Sequence, residues 1–353
     1  MDIHAYLRLA VEKDASDVFF TVGSAVRIKT AGKVVSIGKN ILTSQMTETV
    51  ARNIMNDKQW QHLQEELEID FAIPWPETQA RFRVNAFRQQ GSISLVLRYI
   101  KSKIPSLDDL KLPPVLKDLI MRKRGLLLMV GATNSGKSTT LAAMINHRNE
   151  NSPGHIVTIE DPIEFVHPHK KSLVNQRELG VDTRSYLRAL KSAMRESPDV
   201  ILIGEIRDSE TMAASLELSN TGHLAISTLH ANNTFQAMQR VINMFPQELH
   251  KQLFMDLSLN IVGVISQRLT VGVDSKRVAA VEIMINTPYI ADLILKGKID
   301  EIRDAMVGSG AEGMQTFDIA LFNLYKSGRI TLEEALVHAE SKANLQAKIN
   351  FGG

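Results

Sequence analysis

A chain of 353 residues exceeds one core of ordinary size, so two domains of unequal length are expected. Its 44% hydrophobic and 23% charged residues sit near the averages of soluble domains and exclude the disordered and collagen-like classes. A formal charge of +2 gives no global argument for a nucleic-acid partner or an acidic membrane surface, and the absence of cysteine excludes disulfides, thiolate zinc sites and cysteine nucleophiles.

The start, Met-Asp-Ile-His, lacks the basic stretch and apolar run of a secretory signal. Apolar stretches such as 125–132 and 200–204 are strand-length, far below the roughly 18 residues that cross a bilayer. The expectation is a cytoplasmic protein with no transmembrane segment, touching membrane only peripherally.

In chain order, a helical pattern through Val11 precedes a strand at 17–22. A hairpin follows at 25–30 and 34–37, turned by Ala31-Gly32. Residues 43–67 carry helical patterning. A strand at 69–73 is expected to end at Pro74, which cannot donate to a ladder, and strands follow at 81–88 and 93–100. Several strands, few helices and no repeated crossover predict an α+β domain over 1–100. Pro105, Pro113 and Pro114 among charged residues mark 101–117 as an interdomain connection, leaving 118–353 as a second domain.

There the pattern changes to α/β. Strands at 126–130, 156–160, 200–204 and 224–228 alternate with helices from 137, at 184–196 and at 209–220, the signature of a largely parallel sheet covered by helices. After Gln247 the chain reads as mostly helical, broken by a hairpin over 268–285 around Val273-Asp274-Ser275.

The decisive motif is Gly131-Ala132-Thr133-Asn134-Ser135-Gly136-Lys137-Ser138, which matches G-x-x-x-x-G-K-S/T between an apolar strand and a helical run. A phosphate needs many donors at close range, which loop N–H groups at a helix N-terminus supply. Lys137 can reach the β- and γ-phosphates, and the Ser138 hydroxyl is placed to ligate Mg²⁺. The alternative, a glycine-rich turn with a solvated lysine, needs a chance match in that strand-loop-helix setting. Asn134 tolerates positive φ better than most residues.

Hydrolysis also needs groups that hold the metal and position water. Glu160, Asp161 and Glu164 follow the 156–160 strand, and Glu205 ends the apolar run Val200-Ile201-Leu202-Ile203-Gly204 in the form of a Walker-B element. Asp161 reads more simply as a solvated turn or helix cap, whereas a carboxylate ending a buried strand usually has a partner or a task. His223 and His230 flank the 224–228 strand. Each taken alone is more often structural. His167-Pro168-His169 suits a loop better than a metal pair, and Arg122-Lys123-Arg124 suits the negative end of a preceding helix. Arg81 and Arg83 share one strand face, with Arg98 on the next strand. They read as a solvated face or as arginines that reach a neighbouring subunit's nucleotide.

In order along the chain, Gly131 to Met144, Thr158-Ile-Glu-Asp-Pro-Ile-Glu164-Phe-Val-His167, Pro198-Asp-Val-Ile-Leu-Ile-Gly-Glu205-Ile-Arg-Asp208 and Thr221-Gly-His223 through Asn233 resemble the Walker A, Asp box, Walker B and His box of the type II/IV secretion ATPase superfamily. The resemblance spans nearly the whole chain. It is closest to the type IV pilus retraction ATPases, and residues 180–185, the His-box wording and 313–318 resemble the accessory PilU-like branch rather than the PilT branch.

The resemblance implies a PAS-like N-terminal α+β domain, a RecA-like P-loop ATPase domain with a helical C-terminal region, and a homo-hexamer with ATP between subunits. Lys137, Ser138 and Thr139 would bind phosphates and Mg²⁺, Glu164 would orient water as general base, and Glu205 would serve Mg²⁺ directly or through its water. His223 and His230 would sense the γ-phosphate, and Arg83 and Arg98 would contact nucleotide across the interface. Implied partners are a PilT-like retraction ATPase and an inner-membrane platform protein at the pilus base, with no nucleic acid. Two departures stand out. Asn134 occupies a position where the family usually has glycine, and 305–310 matches a C-terminal retraction motif imperfectly. A P-loop kinase for a small molecule and a DNA translocase are competing readings, opposed by the lack of an arginine-rich lid and by the near-neutral charge.

Overall fold

Period-two alternation sets the N-terminal unit, residues 1–103 with 164–166. In β5 (Ala80–Gln89), Ala80, Phe82, Val84 and Ala86 are buried while Arg81, Arg83 and Asn85 are half-buried, so one face meets a core and the other stays polar. With β1 (Asp17–Phe20), β2 (Arg27–Thr30), β3 (Lys33–Ser36), β4 (Glu68–Trp75) and β6 (Ser92–Ile100) it forms an antiparallel sheet in the order β3-β2-β1-β6-β5-β4. Helices Ile3–Glu12, Ser44–Ile54 and Asp57–Glu66 contribute Leu7, Val50 and Leu63 to a core with Phe20, Phe82, Leu95 and Leu97. Truncating a fully buried residue such as Phe82 to alanine would cost about 3–5 kcal/mol.

The computed structural model describes residues 2–30, 32–75, 77, 80–100, 103–308 and 311–351. Thr30 pairs with Lys33 across the expected hairpin; Ala31 of its turn lies outside the described residues. The 43–67 helical pattern is two helices, because Asn56 starts the second with a capping box to Gln59. Strand β4 runs through Pro74 to Trp75 instead of stopping before it. It is an edge strand, where a missing donor breaks no central ladder.

The second unit comprises residues 104–163 and 167–353. Its sheet contains β7 (Gly125–Val130), β8 (Gly154–Glu160), β9 (Ser172–Glu178), β10 (Val200–Ile203), β11 (Leu224–Leu229), β12 (Ile261–Val271) and β13 (Arg277–Ile285), in the order β13-β12-β7-β11-β10-β8-β9. All neighbours are parallel except β12 and β13. Helices cover both faces, so β7 and β10 are buried at every position and read as unbroken apolar runs.

Strand β9 was not expected. As an edge strand it alternates buried Ser172 and Val174 with exposed Leu173 and Asn175, too polar a pattern to stand out. Strand β12 begins at Ile261, seven residues before the expected hairpin. Of the proline-marked connection 101–117, residues 101 and 102 lie outside the described residues, while Leu107, Leu112 and Leu116 are buried in one core cluster with Leu127 and Met129. The C-terminal helices Phe317–Lys326, Leu332–His338 and Lys342–Phe351 pack through Phe317, Leu321, Ala335 and Leu345 with Val278 and Ala280 of β13. Ser309 and Gly310 of the 305–310 stretch lie outside the described residues.

Candidate nucleotide site

Between Val130, the last residue of β7, and Lys137, the first of the helix Lys137–Asn151, the chain turns through Gly131 (φ 151°), Asn134 (φ 63°) and Gly136 (φ 85°). Asn134 takes the left-handed conformation that Asn accepts at modest cost, so the loop closes without a glycine there. Lys137 Nζ folds back over the loop, donating to the carbonyls of Gly131 at 2.7 Å and Ala132 at 2.8 Å. The hydroxyl of buried Ser135 has no hydrogen-bond partner among the described residues. A cradle lacking Cβ atoms at both fixed glycines, heading a fifteen-residue helix, fits a polyphosphate.

Parallel register brings the next groups to the same edge. Val130 lies beside Leu229, Ile203 beside Ser227 and also beside Ile159, so residues just after β7, β8, β10 and β11 emerge together. Glu205 is mostly buried there. One oxygen faces His230 Nε2 at 3.0 Å; the other accepts from Arg207 Nε at 2.7 Å and lies 2.6 Å from Nη2. That hydrogen bond and charge raise the Arg207 pKa. Glu160 accepts from Thr158 Oγ1 at 2.7 Å and Gln176 Nε2 at 3.1 Å. Burial, then Asp161, pushes the Tyr186 hydroxyl well above its ordinary pKa, against the opposing pull of Arg207, and holds it neutral. A cleft of about 600 Å³ joins Gly131, Ala132 and Thr133 to His230 and Arg240. A second cavity, about 1000 Å³, opens beside loop residues 132–135 and is rimmed by Arg268, Arg277, Arg303 and Glu340.

Within one chain His223 and His230 lie at opposite ends of β11. His223 precedes β11, and its carbonyl accepts from Gly125 N at the start of β7, the end of the sheet opposite the loop. Seven steps along the strand at about 3.3 Å each put roughly 23 Å between the two histidines. Nδ1 of His223 lies 3.1 Å from the Leu218 carbonyl, where it closes the end of the helix Ser209–Asn220.

Arg83 and Arg98 face each other across β5 and β6. Arg98 Nε donates to buried Asp17 at 2.9 Å, and Arg83 lies 3.7 Å from Asp70. Glu164 groups with these arginines in the N-terminal unit. Among the described residues no His, Asp or Glu cluster of three is arranged for a metal. His169 accepts from Val174 N at 3.1 Å, and His167 is buried, so the pair is a packed loop. The carbonyls of Ile120 and Arg122, at the end of the short helix Val115–Ile120, are taken by buried Arg148 at 3.1 and 3.0 Å, a role that composition had suggested for Arg122-Lys123-Arg124.

Sequence reasoning missed Arg207, Tyr186 and Gln267. Arg207 stands two residues after Glu205, a spacing that brings its guanidinium back onto the carboxylate. Gln267 was visible as a polar residue inside the apolar run of β12; Tyr186 carries no local signal.

The sequence matches the family described as "Type II/IV secretion system protein" over residues 1–345. It is 47% identical to the type IV pilus ATPase PilU of Pseudomonas aeruginosa over 353 residues, all of this chain and 92% of that protein. It is 42% identical to the type IV pilus retraction ATPase PilT of the same organism over 344 residues, 98% of this chain and all of that protein. The crystal structure of the pilus retraction motor PilT with bound ADP superposes with a TM-score of 0.92 at 38% identity, covering 98% of this chain and 99% of that one. An N-terminal α+β unit followed by a RecA-like unit, with this loop and these boxes, makes the chain a member of the type II/IV secretion system protein family.

Proposed function

We propose that the chain is a Mg²⁺-dependent ATPase that drives type IV pilus retraction as a homo-hexamer, in the accessory PilU-like role beside a PilT-like partner at an inner-membrane platform. The observation that carries this reading is the convergence of the loop 131–137 with Glu205 and His230 at one sheet edge. The similarity to PilU over the full chain supports the choice of machine.

In this reading the N–H groups of residues 131–139 and the Lys137 ammonium hold the β- and γ-phosphates, where developing negative charge is best stabilised. Ser138 and Glu205 offer the oxygen donors that a hard cation takes, and Mg²⁺ when bound would neutralise phosphate charge. Glu164 accepts the proton of the attacking water, His230 orients Glu205, and Arg83 and Arg98 contact nucleotide held by a neighbouring subunit. No helix among the described residues is long and apolar enough to cross a membrane.

Comparing ATP turnover of the wild type with Lys137→Ala and Glu205→Ala tests the reading; turnover undiminished in both removes it. A second reading, an ATP-binding subunit with little hydrolysis of its own, draws on the Glu205–Arg207 bond, which engages the carboxylate that the metal would need. Turnover well above background by the purified ring alone counts against that version.

A further inference from the structure

We propose that Gln267 is the positioning residue that fixes the phosphate loop in its binding shape, an inference that rests on the nucleotide-site reading above. Gln267 lies in β12, is 2% exposed, and uses both ends of its amide. Nε2 donates to the Ser135 carbonyl at 2.8 Å, and Oε1 accepts from Thr140 Oγ1 at 2.8 Å. One side chain thereby ties the loop to the first turn of the helix that follows it. The same residue forms the wall behind both fixed glycines. A Cβ on Gly131 would lie 2.5 Å from the Gln267 carbonyl oxygen, and a Cβ on Gly136 would lie 2.8 Å from Nε2.

The loop's N–H groups can converge on a phosphate only if its carbonyls are held elsewhere. The Ser135 carbonyl is held by Gln267. Without that bond the loop samples other shapes, and binding must supply the ordering free energy itself. Gln267 never touches the phosphate; it acts through the backbone.

The test measures magnesium-dependent affinity for a fluorescent ATP analogue, together with Tm without nucleotide, in full-length Gln267→Met and Thr140→Val. Methionine keeps the volume and removes both bonds, while valine at 140 removes only the bond to the helix. Gln267→Met is expected to weaken binding about tenfold, the equivalent of about 1.4 kcal/mol, with Thr140→Val staying near wild type even where its Tm falls similarly. Wild-type affinity in Gln267→Met, or parallel losses in the two variants, overturns the proposal. Should Gln267→Met not fold, Gln267→Asn, whose amide is too short to span both partners, is expected to show the same loss, and wild-type affinity there is equally decisive. A wild-type protein without ATP affinity would instead sink the nucleotide-site reading, so the two failures are distinguishable.

Discussion

Replacing the two fixed glycines of the phosphate loop by alanine separates a wall of backbone from a wall of side chain. At Gly131 the backbone sits at φ +151°, and an added Cβ meets the Gln267 carbonyl oxygen at 2.5 Å and Ser135 Oγ at 2.6 Å. That carbonyl belongs to the backbone of β12, which pairs with β13 at Gln267 and with β7 up to the preceding residue, Ser266, so it has little freedom to swing away. At Gly136 φ is +85°, and the nearest atom, Gln267 Nε2 at 2.8 Å, is a side-chain terminus that can give way by loosening its bond to the Ser135 carbonyl, which backbone cannot do. Either substitution costs about 1–3 kcal/mol of backbone strain. Overpacking against fixed atoms adds about 1–3 kcal/mol at Gly131 alone. With about 1 kcal/mol moving Tm by roughly 2–4 °C in a unit of this size, Gly131→Ala should melt several degrees below Gly136→Ala. Thermal unfolding without nucleotide, followed by circular dichroism, reads the order. Equal or inverted melting temperatures would refute the reasoning, because the Gln267 backbone would then not be the rigid wall it is taken to be.

His230→Ala should lower ATP turnover about tenfold, or about 1.4 kcal/mol, with little change in Tm, while His223→Ala should leave turnover near wild type and lower stability by about 0.5–1.5 kcal/mol; steady-state assays and melting curves on both variants check this. Burial, helped by Lys170, holds His167 at a pKa of about 4 against 6.5 when unfolded. Its contribution to stability is therefore complete above pH 6.5, shrinks as pH falls, and is lost by about pH 4, a change of about 3 kcal/mol. Denaturant titrations from pH 7 to 4 should show a shallower loss in His167→Leu. Glu340 accepts from Asn233 Nδ2 at 2.8 Å and lies 3.1 Å from Arg268 and 3.4 Å from Arg303, so Glu340→Gln should cost about 1 kcal/mol, measured by chemical unfolding.

Local chemistry explains which features were legible. The loop from Gly131 to Ser138 is written in consecutive residues, and a strand buried on both faces leaves no choice but an unbroken apolar run, so β7 and β10 were readable to within a residue or two. Edge strands are another matter. Strand β9 and the Pro74 segment of β4 obey weaker constraints, because one side of each has no ladder to satisfy. Contacts far apart in sequence were illegible. The Gln267–Ser135 bond spans 132 residues, and the Arg268–Glu340 pair, with Phe317 beneath the guanidinium, joins the sheet to the C-terminal helices across 72. Leu107, Leu112 and Leu116 show the same limit, since proline and charge marked their segment as a connection while only tertiary packing reveals it as part of a core.

The histidine motif shows why register, and not spacing, assigns such residues. In a parallel sheet whose strands end together, a residue that follows its strand joins the ligand edge and one that precedes it goes to the opposite end. His230 follows Leu229, which is level with Val130, and so meets Glu205; His223 precedes Leu224, which is level with Gly125, and so meets a helix end. The seven-residue separation of the two histidines is one six-residue strand plus a step, the very length that carries the chain from one edge to the other. Of the two histidines, a single subunit therefore presents only His230 at the edge that carries the loop 131–137 and Glu205.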